Sequence, residues 1–421
     1  MRLALLFAFF AALSRAQEPA PPEFTSDDFF HPGAIQDIYI DSPYWATLQE
    51  NFNADTYYAA NIRWRGQTIY NAGIRSKGRT SRRAAKPSLK VDFARFDSQT
   101  FLGLKSFALD NMIQDFTLLK ERAAMLLFRE MGIPVPRETH ARVFINGEYL
   151  GLYVLMESID KRFLQRNFGE DSGYLYEVEL QDKFYLDYRG DDPELYTPFP
   201  FIPETHESDP QPGPIVEMIK AVNLTSDAGF AAAVSQYIDV KKYLTQVAVE
   251  NYITEFDGIT AAYGVNNVYF YRFAGQSLGM FLPKDKDNAF NAADWPVLLN
   301  ADLHPLMRRA LSVPAWRKHY LDELLRVAAI AGGPGGWLET EFVRLADQIR
   351  PDAYLDAVKE CPDGACSVHA SNYYFEVFVN FVVDQIRTRP TYIEAEVARL
   401  AAGDCGDAAV AAFRSTGRTR R

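Results

Sequence analysis

The sequence predicts an α+β protein, sheet-rich with one helix in its N-terminal part and mainly helical in its C-terminal part. Three observations predict it. Between residues 36 and 93 apolar and polar residues alternate in short runs, the period of half-buried strands. At residues 115–134 the apolar spacing changes to that of a helix, bounded by Asp115 at its start and by Gly132 and Pro134 at its end. Beyond residue 158 helical spacing dominates.

The elements follow in order. DIYID opens the regular structure, with Ile38 and Ile40 on one face. Residues 59–65 and 69–75 read as consecutive strands turned at Arg65-Gly66-Gln67, and SLKVDF (88–93) as a further strand. Leu118, Leu119, Ala123, Leu126 and Leu127 make the apolar stripe of the one early helix. Asn146-Gly147, flanked by apolar and aromatic residues, is a hairpin turn, because both residues accept positive φ. Helical segments follow at 159–169, 239–258, 304–332, 336–358 and 371–402, interrupted by a second hairpin around Ala274-Gly275-Gln276. Residues 181–213, rich in Pro, Asp and Tyr, read as a long insertion.

Composition narrows the function. The 421 residues are 48% hydrophobic and 14% aromatic, enough for a large core. The formal net charge is −11, which argues against a general nucleic-acid partner; the basic C-terminal tail (404–421) is short. MRLALLFAFFAALSRA (1–16) has a basic start, a short apolar run and small residues at its end, the pattern of a secretory signal peptide. A Pro-rich linker (17–34) follows. No membrane span is read, and the mature chain is expected to be secreted, periplasmic or at the cell surface. In an oxidising compartment Cys361 and Cys366, held close by Pro-Asp-Gly, are expected to form a disulfide. The alternative is a zinc site of Cys361, Cys366, His369 and Cys405.

The element order outlines a bilobal protein kinase, with a sheet-rich N-lobe carrying one helix (35–157) and a mainly helical C-lobe (158–403). The residues add to the outline. GIRSKGRTS, FALDNMIQDFTLLKERAAMLLFREMGIPVPR, NGEYLGLYVLMESID and NNVYFYRFAGQSLGMFLPKDKDNAF stand in this order. Together they resemble the spore-coat CotH protein kinase family, whose members carry R-x-K-G-x-[ST]-S, N-G-x-Y-x-G-x-Y-x-x-x-E-x-I-D, and P-W-D-x-D after N-x-Y-x-Y. The resemblance covers residues 38–290. It implies an atypical kinase that transfers the γ-phosphoryl of ATP to Ser or Thr of a secreted or surface protein, with Mg²⁺ or Mn²⁺.

Phosphoryl transfer needs charge neutralisation, positioning and a proton acceptor. Asp285 and Asp287, like charges one residue apart after an apolar strand, supply hard oxygen ligands for Mg²⁺, with Asn288 beside them. The other reading is an exposed acidic turn with Lys284 and Lys286 as counter-charges. Lys284 replaces the family's Trp. By resemblance Asp257 is the catalytic base, and Asn267 or Asn266 a metal ligand. Lys86 is favoured for phosphate, with Lys90 as the alternative and Glu121 as an ion-pair partner. Arg75, Lys77 and Arg79 stand in for a Gly-rich loop, since the chain has no G-x-G-x-x-G. Met156 and Glu157 fall where the base would lie, although Glu157 also suits a cap on the next helix. The alternative function is a surface or adhesion protein without catalysis.

Overall fold

A computed structural model describes residues 24–180 and 183–403 of the chain. The expected signal peptide, the basic tail and Cys405 lie outside these residues. After α1 (Ser26–Phe29) come β1 (Gln36–Asp41), α2 (Trp45–Glu50), β2 (Tyr58–Trp64), β3 (Gln67–Lys77), β4 (Ser88–Asp92), β5 (Ser106–Asp110), α3 (Lys120–Glu130), β6 (Glu138–Ile145) and β7 (Glu148–Glu157). The seven strands form a closed barrel in the order β1-β2-β3-β4-β5-β7-β6. Parallel pairing of β1 with β6, Gln36 opposite Ala141 and Ile40 opposite Ile145, closes it.

The turns form where residues tolerate left-handed backbone. Arg65 and Gly66 join β2 to β3 with φ of 44° and 78°; Asn146 and Gly147 join β6 to β7 with 50° and 89°. Ile38, Ile74, Leu89, Val91, Leu109, Val143 and Leu155 pack together inside the barrel. Their neighbours of opposite parity therefore look outward. Arg75, Lys90, Ala108 and Met156 form one such row across β3, β4, β5 and β7, and Lys77 and Asp110 lie one step further along. Asp115 does not cap by adjacency. Its carboxylate accepts the backbone N–H of Leu119 and Lys120, at 2.7 and 2.8 Å, from the loop before α3.

The second half contains α4 (Lys161–Phe168), β8 (Tyr174–Val178), β9 (Phe201–Pro203), α5 (Gly213–Asn223), α6 (Asp227–Val234), α7 (Val240–Tyr252), β10 (Val268–Arg272), β11 (Gly279–Pro283), α8 (Pro305–Ser312), α9 (Pro314–Ala331), α10 (Trp337–Leu355) and α11 (Val368–Ala401). Four of these strands form a sheet in the order β11-β10-β8-β9. One face, with Tyr176, Val178, Phe270 and Phe281, joins the main helical core, and Leu152 and Val154 of β7 reach the same core. The other face carries Glu177, Tyr269 and Lys284.

The α+β, bilobal kinase-like expectation is corrected here. The N-terminal sheet is a closed seven-stranded barrel, and the C-terminal part holds a second sheet among its helices. Strand periodicity reports which face is buried but not which strand lies alongside, so it does not reveal closure. Within the expected insertion, β9 pairs with β8, and Phe184, Tyr196 and Phe201 are buried in the main core. Cys361 and Cys366 form the expected disulfide, with Cα atoms 6.0 Å apart, which takes both from the alternative zinc set. Among the described residues no helix is long and apolar enough to cross a membrane.

Candidate functional site

The chain leaves β11 at Pro283 and turns sharply. Asp285 takes φ of 54°, a region that non-glycine residues rarely enter. Lys286 points into the interior, where its Nζ lies 3.0 Å from Glu250 Oε1 and donates to the Asn267 carbonyl at 3.1 Å. The Asp285 and Asp287 side chains accept no hydrogen bond and form no ion pair among the described residues, although Asp287 is buried and Asp285 half-buried. Burial, then Asp110 and Asp257, push the Asp285 carboxyl above its ordinary range. Burial, with Asp285, Asp257 and Asp110, pushes Asp287 further. Lys284 and Lys286 do not relieve this charge by pairing with it. Lys286 is pulled to Glu250, and Lys284 forms an ion pair with Glu177 on the second sheet.

Asp257 lies on the loop after α7 and faces the same place. Its Oδ2 accepts a hydrogen bond from Asn288 Nδ2 at 3.3 Å, and its buried Oδ1 has no partner. The Asn266 side chain donates to the Asp257 carbonyl at 3.1 Å. The Asn267 carbonyl accepts from both Lys284 N and Lys286 Nζ at 3.1 Å. Asn266 braces the Asp257 loop with its side chain, and Asn267, with φ of 53°, braces the Asp285 turn through its main-chain carbonyl. Thr254 and Phe290 also have φ of 56°, so with Asp285 and Asn267 four non-glycine residues of this corner take left-handed backbone. Each costs about 1–3 kcal/mol, the pattern of a site whose surroundings over-determine it.

The outward face of the barrel supplies the cations. Lys77 Nζ lies 2.6 Å from Asp110 Oδ2. Burial works against its charge, but Asp110, Asp285 and Glu121 hold its pKa above the ordinary value. Lys90 donates to Ser158 Oγ at 2.7 Å, and burial lowers its pKa to about 8. Arg75 pairs with Asp55 at 2.9 Å. Lys86 does not join them. It is buried with its Nζ 2.6 Å from Asp356 Oδ2, at the far end of α10. Glu121 is correspondingly not its partner; a Glu121 carboxylate oxygen accepts the backbone N–H of Lys286, behind the acidic pair. Burial and then Glu138 push the Glu121 carboxyl well above its ordinary range. Glu157 accepts from Arg137 at 2.7 Å and Arg166 at 2.5 Å, while Asp160 alone caps α4. Met156 packs against the main core beside them.

Two participants escaped the sequence reading. Asp110, the counter-ion of Lys77, ends β5, and alternation along FALD would have put it on the outward face with Lys77. The Lys286–Glu250 pair had no local signal, because its partners are 36 positions apart.

The CotH kinase protein family matches residues 74–330, which include Arg75, Lys77, Asp110, Asp257, Asp285 and Asp287. The chain belongs to the CotH family. It is 25% identical over 347 residues to the inner spore coat protein H of Bacillus subtilis (strain 168), covering 79% of this chain and 88% of that protein. Among solved structures it is similar to the Helicobacter pylori proinflammatory kinase CtkA, with 10% identity over 75% of this chain and 95% of that one. The TM-score is 0.29, too low to support an argument from a shared fold. CotH membership makes the chain a kinase-like protein and, for the family in general, implies ATP and a divalent metal.

The residues present fit a hard divalent cation. They offer two carboxylates without protein partners, a third with one oxygen unpartnered and buried, and repulsion among all three. No three His, Cys, Asp or Glu side chains among the described residues are already gathered as a metal-holding group.

Proposed function

We propose that this protein is a Mg²⁺- or Mn²⁺-dependent phosphotransferase that acts outside the cytoplasm, moving the γ-phosphoryl of ATP to a Ser or Thr hydroxyl of a surface or coat protein. One observation carries the reading: the Asp285 and Asp287 carboxylates face each other's charge without a hydrogen bond or ion pair among the described residues, inside a segment matched by the CotH family. Unpaired buried carboxylates are costly, and a cation is the partner that offsets them. Asp285 and Asp287 would hold the ion, with the Asn288 amide oxygen in reach of the same corner. When bound with nucleotide, the ion neutralises phosphate charge.

The chain's own residues do the rest. Asp257 accepts the proton of the attacking hydroxyl at Oδ1, the oxygen its surroundings leave unpartnered. Asn288 orients that carboxylate through Oδ2. Lys77 leaves Asp110 to meet a phosphate, and Lys90 and Arg75 extend the positive row along the outward barrel face. The disulfide and the relative's name, inner spore coat protein H, support an extracytoplasmic place.

The test is transfer from γ-labelled ATP to Ser/Thr-rich acceptor protein with Mg²⁺ or Mn²⁺. Wild type labels the acceptor, and Asp257→Asn and Asp285→Asn lose labelling by about two to four orders of magnitude. Equal labelling by wild type and Asp257→Asn contradicts the reading. A second reading, a surface protein that binds without catalysis, is favoured by Lys284, which stands beside Asp285 where the family has Trp. Under it, nucleotide and metal leave the melting temperature unchanged.

A further inference from the structure

Lys286 stands between the two acids and is fully buried, yet it is held at both ends. Its backbone N–H donates to Glu121 of α3. Its Nζ is 3.0 Å from Glu250 Oε1 of α7 and 3.1 Å from the Asn267 carbonyl. Glu250 uses its second oxygen to accept the backbone N–H of Ile259, at 2.7 Å. Gly258 makes room for this contact, since a Cβ there would lie 2.3 Å from that oxygen. One carboxylate therefore touches both the 285–287 turn and the loop that carries Asp257.

We propose that Lys286 and Glu250 form a positioning pair that fixes the spacing of Asp285 and Asp287 and keys it to Asp257. Lys286 is anchored inward at both its backbone and its Nζ, and the carboxylates that flank it are the groups of this turn left without a hydrogen bond or ion pair among the described residues. The left-handed φ of Asp285 persists because Glu121, Glu250 and Asn267 hold the next residue. This inference rests on the metal reading above and names residues that act only through the ligands.

The experiment is a Mn²⁺ titration followed by electron paramagnetic resonance, with melting temperature measured in parallel, on wild type, Lys286→Met, Glu250→Gln and the double variant. Partners that orient ligands typically change metal affinity 10- to 100-fold, and that loss is expected for each folded single variant. The double variant should lose no more than the worse single one, because the pair acts as a unit. Lys286→Arg should recover part of the affinity. Single variants that melt earlier but bind Mn²⁺ like wild type overturn the inference and leave the metal reading intact. If Lys286→Met does not fold, Glu250→Gln decides by the same affinity criterion. Wild type that binds no Mn²⁺ overturns both.

Discussion

Lys86 Nζ and Asp356 Oδ2 lie 2.6 Å apart with both side chains sealed from solvent, joining the start of β4 to the end of α10. The same Asp356 oxygen accepts the backbone N–H of Leu152 at 2.9 Å, and Gly151 leaves room for it, since a Cβ there would sit 2.7 Å away. Lys86 is thus a strut between barrel and helices. Breaking a buried pair by removing one partner costs about 3–5 kcal/mol. Lys86→Met is expected to lose that much in urea unfolding while the folded protein keeps wild-type Mn²⁺ affinity. A large loss of nucleotide affinity in stable Lys86→Met would return this lysine to the phosphate site.

Removing one charge of the acidic pair should have the opposite sign. In metal-free protein Asp285 and Asp287 repel each other, and burial raises both carboxyls. Asp287→Asn is expected to stabilise the metal-free protein by about 1 kcal/mol and to abolish the rise in melting temperature caused by Mn²⁺. Calorimetry with and without metal reads both effects together. A destabilised Asp287→Asn that still responds to Mn²⁺ is the contrary result.

His304 gives a pH prediction. It is buried, its Nε2 bonds the Ala261 carbonyl at 2.9 Å, and burial depresses its pKa to about 4. An unfolded histidine titrates near 6.5, so between these values the unfolded chain binds the extra proton and stability falls as pH falls. Between pH 7 and 5 wild type should lose about 2 kcal/mol more than His304→Gln. His140, also depressed by burial, acts in the same direction but is common to both proteins, as are the raised carboxyls that act oppositely. Parallel pH dependence of the two proteins in urea would refute the assignment.

The Cys361–Cys366 loop is short, so its disulfide constrains the unfolded chain modestly, by about 2 kcal/mol. It also follows Glu360, which pairs with Arg83 at 2.7 Å beyond the basic β3–β4 turn. Replacing both cysteines with serine is expected to lower stability by that amount. No change in the urea midpoint would mean that the bridge adds nothing to this already tethered corner.

These relationships explain what was legible beforehand. The hairpin turns at Arg65-Gly66 and Asn146-Gly147 were, because positive φ restricts residue type locally. So were the long helices, whose stripes repeat over many residues. Closure of the barrel was not, because β1 meets β6 across about a hundred residues and nothing in QDIYID names its partner. The acidic pair could be read as a charge problem, but its counter-charges could not. Lys284 and Lys286 look like local partners in sequence, and tertiary packing sends one to Glu177 and the other to Glu250. Lys86 and Lys77 are equally plausible on a string. Only Asp356, 270 positions away, decides that Lys86 belongs to the core.

We infer that Asp285 and Asp287 hold a divalent cation. Titrating Mn²⁺ into wild type, Asp285→Asn and Asp287→Asn while following free Mn²⁺ by electron paramagnetic resonance tests it most directly. A saturable site is expected in wild type, tightened by ATP and lost in both variants. Saturable binding that survives in both variants, or no binding to wild type with ATP present, contradicts it.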